Sequence, residues 1–125
     1  MSNYIKNRAN SFKYAWQGIV ALFAHEPNAR IHLSAAMLVV LVGSLLELTS
    51  GEWCAIALSI GGVFMAEAFN TAIEKLCDKV SPERDPQIKT TKDVAAGAVL
   101  LFVLGAVAVG LIIFIPKIKY LLADL

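Results

Sequence analysis

The sequence predicts an all-α integral membrane protein: an N-terminal amphipathic surface helix and three transmembrane helices, in one domain over residues 1–125. Three observations predict it. Hydrophobic residues make up 58% of the 125-residue chain and charged residues 17%, against about 45–50% and about 25% in soluble domains. A monomer this small has too much surface for its volume to hide that excess from water. Three apolar runs of about 20 residues, each able to cross a ~30 Å hydrocarbon core, are separated by polar or helix-breaking segments. Ahead of them, Phe12, Trp16, Ile19 and Phe23 recur at i, i+4, i+7 and i+11, the period of one helix face.

The surface helix covers about residues 4–24. Lys6, Asn10, Lys13 and Gln17 form its polar stripe, roughly 120° from the apolar one. A basic amphipathic helix with Trp and Phe on its apolar side suits the bilayer interface. The polar start, Met1 to Arg8, is followed by no short apolar run with a small-residue cleavage site, so no secretory signal is expected. His25 to Asn28 form a break, with Pro27 at the first position of the next helix and Glu26 beside its positive end. That span covers about 29–48, with no charge from Leu33 to Leu46. Thr49, Ser50 and Gly51 make a short turn, and the second span runs over about 53–77. A polar loop from about Lys79 to Thr91, bracketed by Pro82 and Pro86, leads to the third span at about 94–115, which Pro116 ends. All four prolines then stand at element boundaries.

Charge sets an orientation. The N-terminal region as far as Arg30 holds Lys6, Arg8, Lys13 and Arg30, and Lys75, Lys79, Arg84, Lys89 and Lys92 surround the second loop. The turn between spans one and two holds only Glu47 and Glu52. The positive-inside rule places the N-terminus and second loop in the cytoplasm and the C-terminus outside, with Lys117 and Lys119 weakly opposed. The formal net charge of +1 speaks against a nucleic-acid partner. Cys54 and Cys77 would lie about 35 Å apart on one helix, too far to bond, and read as small buried hydrophobes.

The second span carries the anomaly. On a helical wheel Glu67, Asn70, Glu74 and Asp78 share an arc of about 80° and rise about 16 Å along the axis. A carboxylate in hydrocarbon costs several kcal/mol, so such groups face a protein interior, a cavity or a partner charge. No basic residue inside either other span is expected to neutralise Glu67, and His25 and His32 read as isolated interface or packing residues. Acids on one stripe make sense as cation ligands, and Mg²⁺ takes hard oxygens and bridges carboxylates to phosphates; a structural polar seam between helices is the other reading. Glu26, Glu74, Asp78, Lys92 and Asp93 are expected to cluster at the cytoplasmic interface, with Glu67 and Asn70 deeper. There is no G-x-x-x-x-G-K-[ST] loop, no Cys/His zinc cluster and no G-x-S-x-G elbow. Carboxylates, a metal and a lysine suit phosphoryl transfer, which needs mostly positioning and charge neutralisation. A buried carboxylate can accept a hydroxyl proton, and its depth points to a lipid hydroxyl.

These residues carry a resemblance. Glu67-Ala-Phe-Asn70-Thr-Ala-Ile-Glu74-x-x-x-Asp78, then Ser81-Pro82-Glu83 and Lys92-Asp93-x-Ala95-Ala96-Gly97, resemble the signature of the prokaryotic diacylglycerol kinase family, which includes undecaprenol kinases. Phe12-Lys-Tyr14-Ala-Trp16-x-Gly18 and Glu26-x-x-x-Arg30-Ile-His32 extend the match over nearly the whole chain. The resemblance implies a bacterial inner-membrane enzyme, a domain-swapped homotrimer with cytoplasmic active sites between subunits. It implies ATP as donor, Mg²⁺ as cofactor and a membrane lipid, diacylglycerol or undecaprenol, as acceptor.

Carried over by position, Glu67 is the general base and Asn70 orients it or the transferring group. Glu26 and Glu74 hold Mg²⁺ on the ATP phosphates, and Lys92 contacts those phosphates. Asp93, Tyr14 and Glu83 lie at the nucleotide, and Asp78 supports the cluster. Arg8, Trp16 and Arg30, with Glu67, are candidate lipid contacts. Arg8 interrupts the apolar side of the surface helix, where it either snorkels to headgroups or touches substrate or nucleotide. After Glu83 this chain has Arg84 and Asp85 where the family often has an aromatic residue and a His; Arg84 contacts phosphate or is solvated. Close helix packing is permitted by Gly97 and Ala98 and by Ala106 and Gly110, four apart. The same acidic stripe would also serve a small cation- or proton-coupled transport subunit, or a purely structural membrane subunit. Lys92 in the cytoplasmic cluster and the apolar outer halves of the spans favour the kinase.

Overall fold

The computed structural model describes residues 2–81 and 85–123. They form four α-helices: α1 (Ser2–His25), α2 (Pro27–Leu45), α3 (Ser50–Val80) and α4 (Pro86–Ala123). The last three are long and apolar enough to cross a membrane. Large side chains such as Met37, Leu38, Leu58, Leu101 and Ile112 stand exposed on their outer faces, as lipid-facing surface does.

One extended residue separates α1 from α2. Glu26 sits at φ −104°, ψ 110°, because a residue before proline is pushed out of the helical region. Its N–H still donates to Leu22 O at 2.9 Å. Arg30 reaches back across the corner: its Nε donates to Phe23 O at 2.8 Å, and a second guanidinium nitrogen donates to Ala24 O. The orphan carbonyls that end α1 are thereby satisfied from the next helix. Leu22 is buried beside this corner, and Phe23 meets Phe64 of α3 edge-on, with ring centroids 5.2 Å apart.

The α2–α3 turn lies earlier than the sequence suggests: α2 ends at Leu45 and α3 starts at Ser50. Thr49 and Glu52 form a capping box, with Thr49 N–H donating to Glu52 Oε2 at 2.7 Å and Glu52 N–H to Thr49 Oγ1 at 3.3 Å. This T-x-x-E arrangement draws Ser50 and Gly51 into the first turn. The preceding Glu47 takes φ 49°, the left-handed conformation that commonly closes a helix. The second loop shrinks. Asp85 accepts N–H bonds from Gln87 at 2.7 Å and Ile88 at 3.4 Å, and Pro86 opens α4, so 86–91 are helical and not loop.

Pro116 corrects the sequence expectation more sharply. It lies inside α4, which continues to Ala123. Proline removes one intrahelical bond, but transmembrane helices tolerate it where neighbours re-satisfy the backbone. The next residue, Lys117, pairs with Glu52 of α3 at 3.2 Å, tying this part of α4 to its neighbour.

The antiparallel pair α3 and α4 makes the most extensive helix interface. Its tightest point is Gly62, where a Cβ would fall 1.9 Å from Phe102 Cζ. Replacing Gly62 by Ala is expected to displace that ring at a cost of about 1–3 kcal/mol, read as a lower thermal midpoint in detergent. Adding Phe102→Leu should recover part of the loss; an unchanged midpoint for the single variant would show that the ring swings freely into lipid.

Candidate active site

Two ion pairs define one polar end of the bundle. Lys75 Nζ of α3 lies 3.6 Å from Glu26 Oε1 at the α1–α2 corner, and Lys92 of α4 pairs with Asp78 of α3. Asp93 pairs with Lys89 on the outside of α4. Asn70 and Glu74 lie deeper on α3, with Asn70 Nδ2 donating to Glu74 Oε1 at 3.3 Å. The opposite end holds the separate Glu52–Lys117 pair.

Glu67 is the deepest acid. It is 3% exposed and lies about 12 Å along α3 from Lys75. Its partner is His32 of α2, whose Nε2 is 3.1 Å from Glu67 Oε1. This corrects two expectations from sequence: a basic side chain inside another span does face Glu67, and His32 is not isolated. A signal for it exists in register. His32 follows Glu26 by about 9 Å of helix rise and Glu67 precedes Lys75 by about 12 Å, so a pairing of Glu26 with Lys75 brings the two to similar depth.

The other candidate residues are distributed as follows. Asn70 is 8% exposed and its Oδ1 is buried without a hydrogen-bond partner. Tyr14 and Trp16 stand exposed on α1. Arg8 lies over the Tyr4 ring, 5.1 Å from its centroid, a cation–π arrangement. Arg30 is occupied with the end of α1. Glu83 and Arg84 lie outside the described residues. Cys54 and Cys77 are both free thiols, the first exposed and the second buried.

Among the described residues no three His, Cys, Asp or Glu side chains converge as a metal cage. Mg²⁺ seldom uses one; it commonly takes one or two carboxylates and completes its shell with phosphates and water. Glu74 and the neighbouring unpartnered Asn70 Oδ1 are hard oxygens of the kind that mode uses, while Glu26 is engaged by Lys75.

An apolar groove of about 210 Å³ runs between α2, α3 and α4, from His32 past Ala36, Val63 and Ala106 to Phe114. His32 stands at its head, so the groove and the buried carboxylate meet at one imidazole. Ala106 and Gly110 line this groove within the protomer.

A family model described as prokaryotic diacylglycerol kinase matches residues 13–114. Arg8 precedes the matched segment. The chain is 40% identical to the undecaprenol kinase of Bacillus subtilis strain 168, over 93% of this chain and 94% of that protein. It is 38% identical to the diacylglycerol kinase of Synechocystis sp., over 90% of this chain and 65% of that longer protein. It is 28% identical to the diacylglycerol kinase of Escherichia coli strain K12, over 75% and 77% of the two chains.

The Arg30 clamp makes a direct prediction. Arg30→Met should leave the last carbonyls of α1 unsatisfied and speed amide exchange over residues 22–26 by about 10–100-fold, the weight of one charged hydrogen bond. Unchanged protection of that corner by hydrogen-exchange mass spectrometry would show that Pro27 and the Phe23–Phe64 pair hold it unaided.

Proposed function

The chain belongs to the prokaryotic diacylglycerol kinase family and is a lipid kinase, and on that footing we propose that it transfers the γ-phosphoryl group of ATP to the hydroxyl of a membrane lipid. Undecaprenol is the favoured acceptor and diacylglycerol the second. The relative named undecaprenol kinase supports that order, being matched over 94% of its length.

The observation that carries the reading is Glu67, a carboxylate 3% exposed in a bundle of membrane-length helices. A carboxylate at this depth lies within reach of a lipid hydroxyl and can act as its general base once the two are in hydrogen-bond contact. As the lipid oxygen bonds to the γ-phosphorus, its proton passes to Glu67, the bond from phosphorus to the β–γ bridging oxygen breaks, and ADP leaves. Lys92, exchangeable from Asp78 because that pair is partly exposed, neutralises phosphate charge. Glu26 and Glu74 would hold Mg²⁺, which supplies further charge neutralisation on the transferring group. Asn70 orients Glu74. Tyr14, Glu83 and Asp93 are the nucleotide contacts expected from the family, Asp78 supports Lys92, and Arg8, Trp16 and Arg30 remain the candidates nearest the lipid headgroup. This chemistry places the polar end in the bacterial cytoplasm, where ATP is, with the C-terminus across the inner membrane. The homotrimer expected from the family would cover apolar faces that one protomer leaves exposed.

Radiolabelled ATP offered with undecaprenol and diacylglycerol side by side tests the proposal. Label should enter undecaprenol faster, and transfer to neither lipid would return the acidic stripe to a transport role. Glu67→Gln should lower kcat by about 10²–10⁴-fold while Mg-ATP binding persists; retained turnover removes Glu67 as the base. Glu74→Gln should raise the Mg²⁺ concentration needed for half-maximal rate, and an unchanged requirement removes it as a ligand.

A further inference from the structure

We propose that His32 is a positioning residue for Glu67, holding one carboxylate oxygen through Nε2 so that the other stays free to take the lipid proton. The inference rests on the reading of Glu67 as base. His32 Nε2 lies 3.1 Å from Glu67 Oε1, and the two side chains are 24% and 4% exposed. Among the described residues it is the single polar partner shown for that carboxylate. Asn70, one turn on, gives its amide N–H to Glu74, while Lys75 and Lys92 are held by Glu26 and Asp78. Removing His32 therefore leaves the carboxylate without a directional partner in a water-poor site.

The position of the imidazole is built in. Arg30, two residues earlier, is anchored to the end of α1, and Ala29 is fully buried, which fixes the start of α2. The ring also forms the head of the apolar groove, and the hydroxyl that lines it, Ser59, stands eight residues before Glu67, about 12 Å away along α3.

The chemistry favours imidazole over a stronger cation. A Lys or Arg at this depth would bring a fixed charge on a long flexible stem. The imidazole is a short, rigid ring whose Nε2–H donates to Oε1 from one direction. The proton balance is simple: the lipid O–H proton passes to Oε2 and the Nε2–H stays on the ring, so His32 neither gains nor loses a proton in the transfer.

The test compares His32→Leu, which keeps bulk without a donor, with His32→Gln, whose amide nitrogen reaches about as far as Nε2. Both are assayed in the full-length protein in detergent for kcat with lipid and KM for Mg-ATP. His32→Leu should lose about 10–100-fold in kcat, the weight of one hydrogen bond to a charged group, with KM for Mg-ATP within about twofold. His32→Gln should return to within about threefold of the parent. Parental kcat in the Leu variant, or an equal loss in both, overturns the proposal. Where the Leu variant does not fold, His32→Asn, whose amide falls short of Glu67, takes its place, and equal kcat for Asn and Gln overturns it. Glu67→Gln runs alongside: its retained turnover overturns the base reading itself, whereas an inactive Glu67→Gln beside a fully active His32→Leu overturns only the role of His32.

Discussion

The Glu67–His32 pair is the interaction on which the rest of the arrangement depends, because hydrocarbon offers a buried carboxylate no substitute partner. In water a lost hydrogen bond is replaced by solvent; between apolar helices it leaves a bare polar group at a cost of several kcal/mol. The 3.1 Å contact therefore ties α2 to α3 at one register, since sliding either helix by a residue withdraws each polar atom from the partner it has among the described residues. The polar contact between the start of α2 and α3 stands in the same register. Glu26, at the start of α2, meets Lys75 of α3 at the height that register sets, and Asp78 meets Lys92 across the separate α3–α4 interface.

The outer pairs are of a different kind. Asp78 and Lys92 are substantially exposed, and exposed ion pairs contribute only about 0–1 kcal/mol. They are easily exchanged for phosphate oxygens, whereas the deep pair is not. A gradient results along α3, from exchangeable contacts at the surface to a fixed one inside. That gradient suits the proposed reaction, which would admit a triphosphate at one end and need Glu67 held in orientation at the other. The Glu26 corner joins the two regimes, being extended by Pro27 and tied down by Arg30.

Periodicity and breakers made the four helices legible in the sequence, and a helical wheel found the Glu67–Asp78 stripe without any tertiary information. Two local rules misled at element ends. Thr49 and Glu52 look like turn residues until their reciprocal bonds are seen, and Pro116 looks like a terminator because the rule for it comes from helices in water. His32 was illegible for another reason. Its partner is far along the chain on another helix, and a single imidazole in an apolar run carries no pattern. Only the relative height of α2 and α3, which tertiary structure supplies, distinguishes it from a packing residue. Arg30 was obscured in the same way, its role at the end of α1 being set by backbone carbonyls that no residue type announces.

The length of α4 has a mechanical meaning. Between Asp93 and Lys117 it carries no ionisable side chain, a stretch of roughly 35 Å against a hydrocarbon thickness of ~30 Å. Charges at both ends resist entering the oil, so the helix accommodates a thinner bilayer by leaning. Lys117 is tied to Glu52, and α3 leans with it. The two helices thus act like a float with ballast at each end. Its draught determines how far below the headgroups Glu67 rides, and therefore how far a lipid's hydroxyl would have to sink to meet it in the proposed reaction.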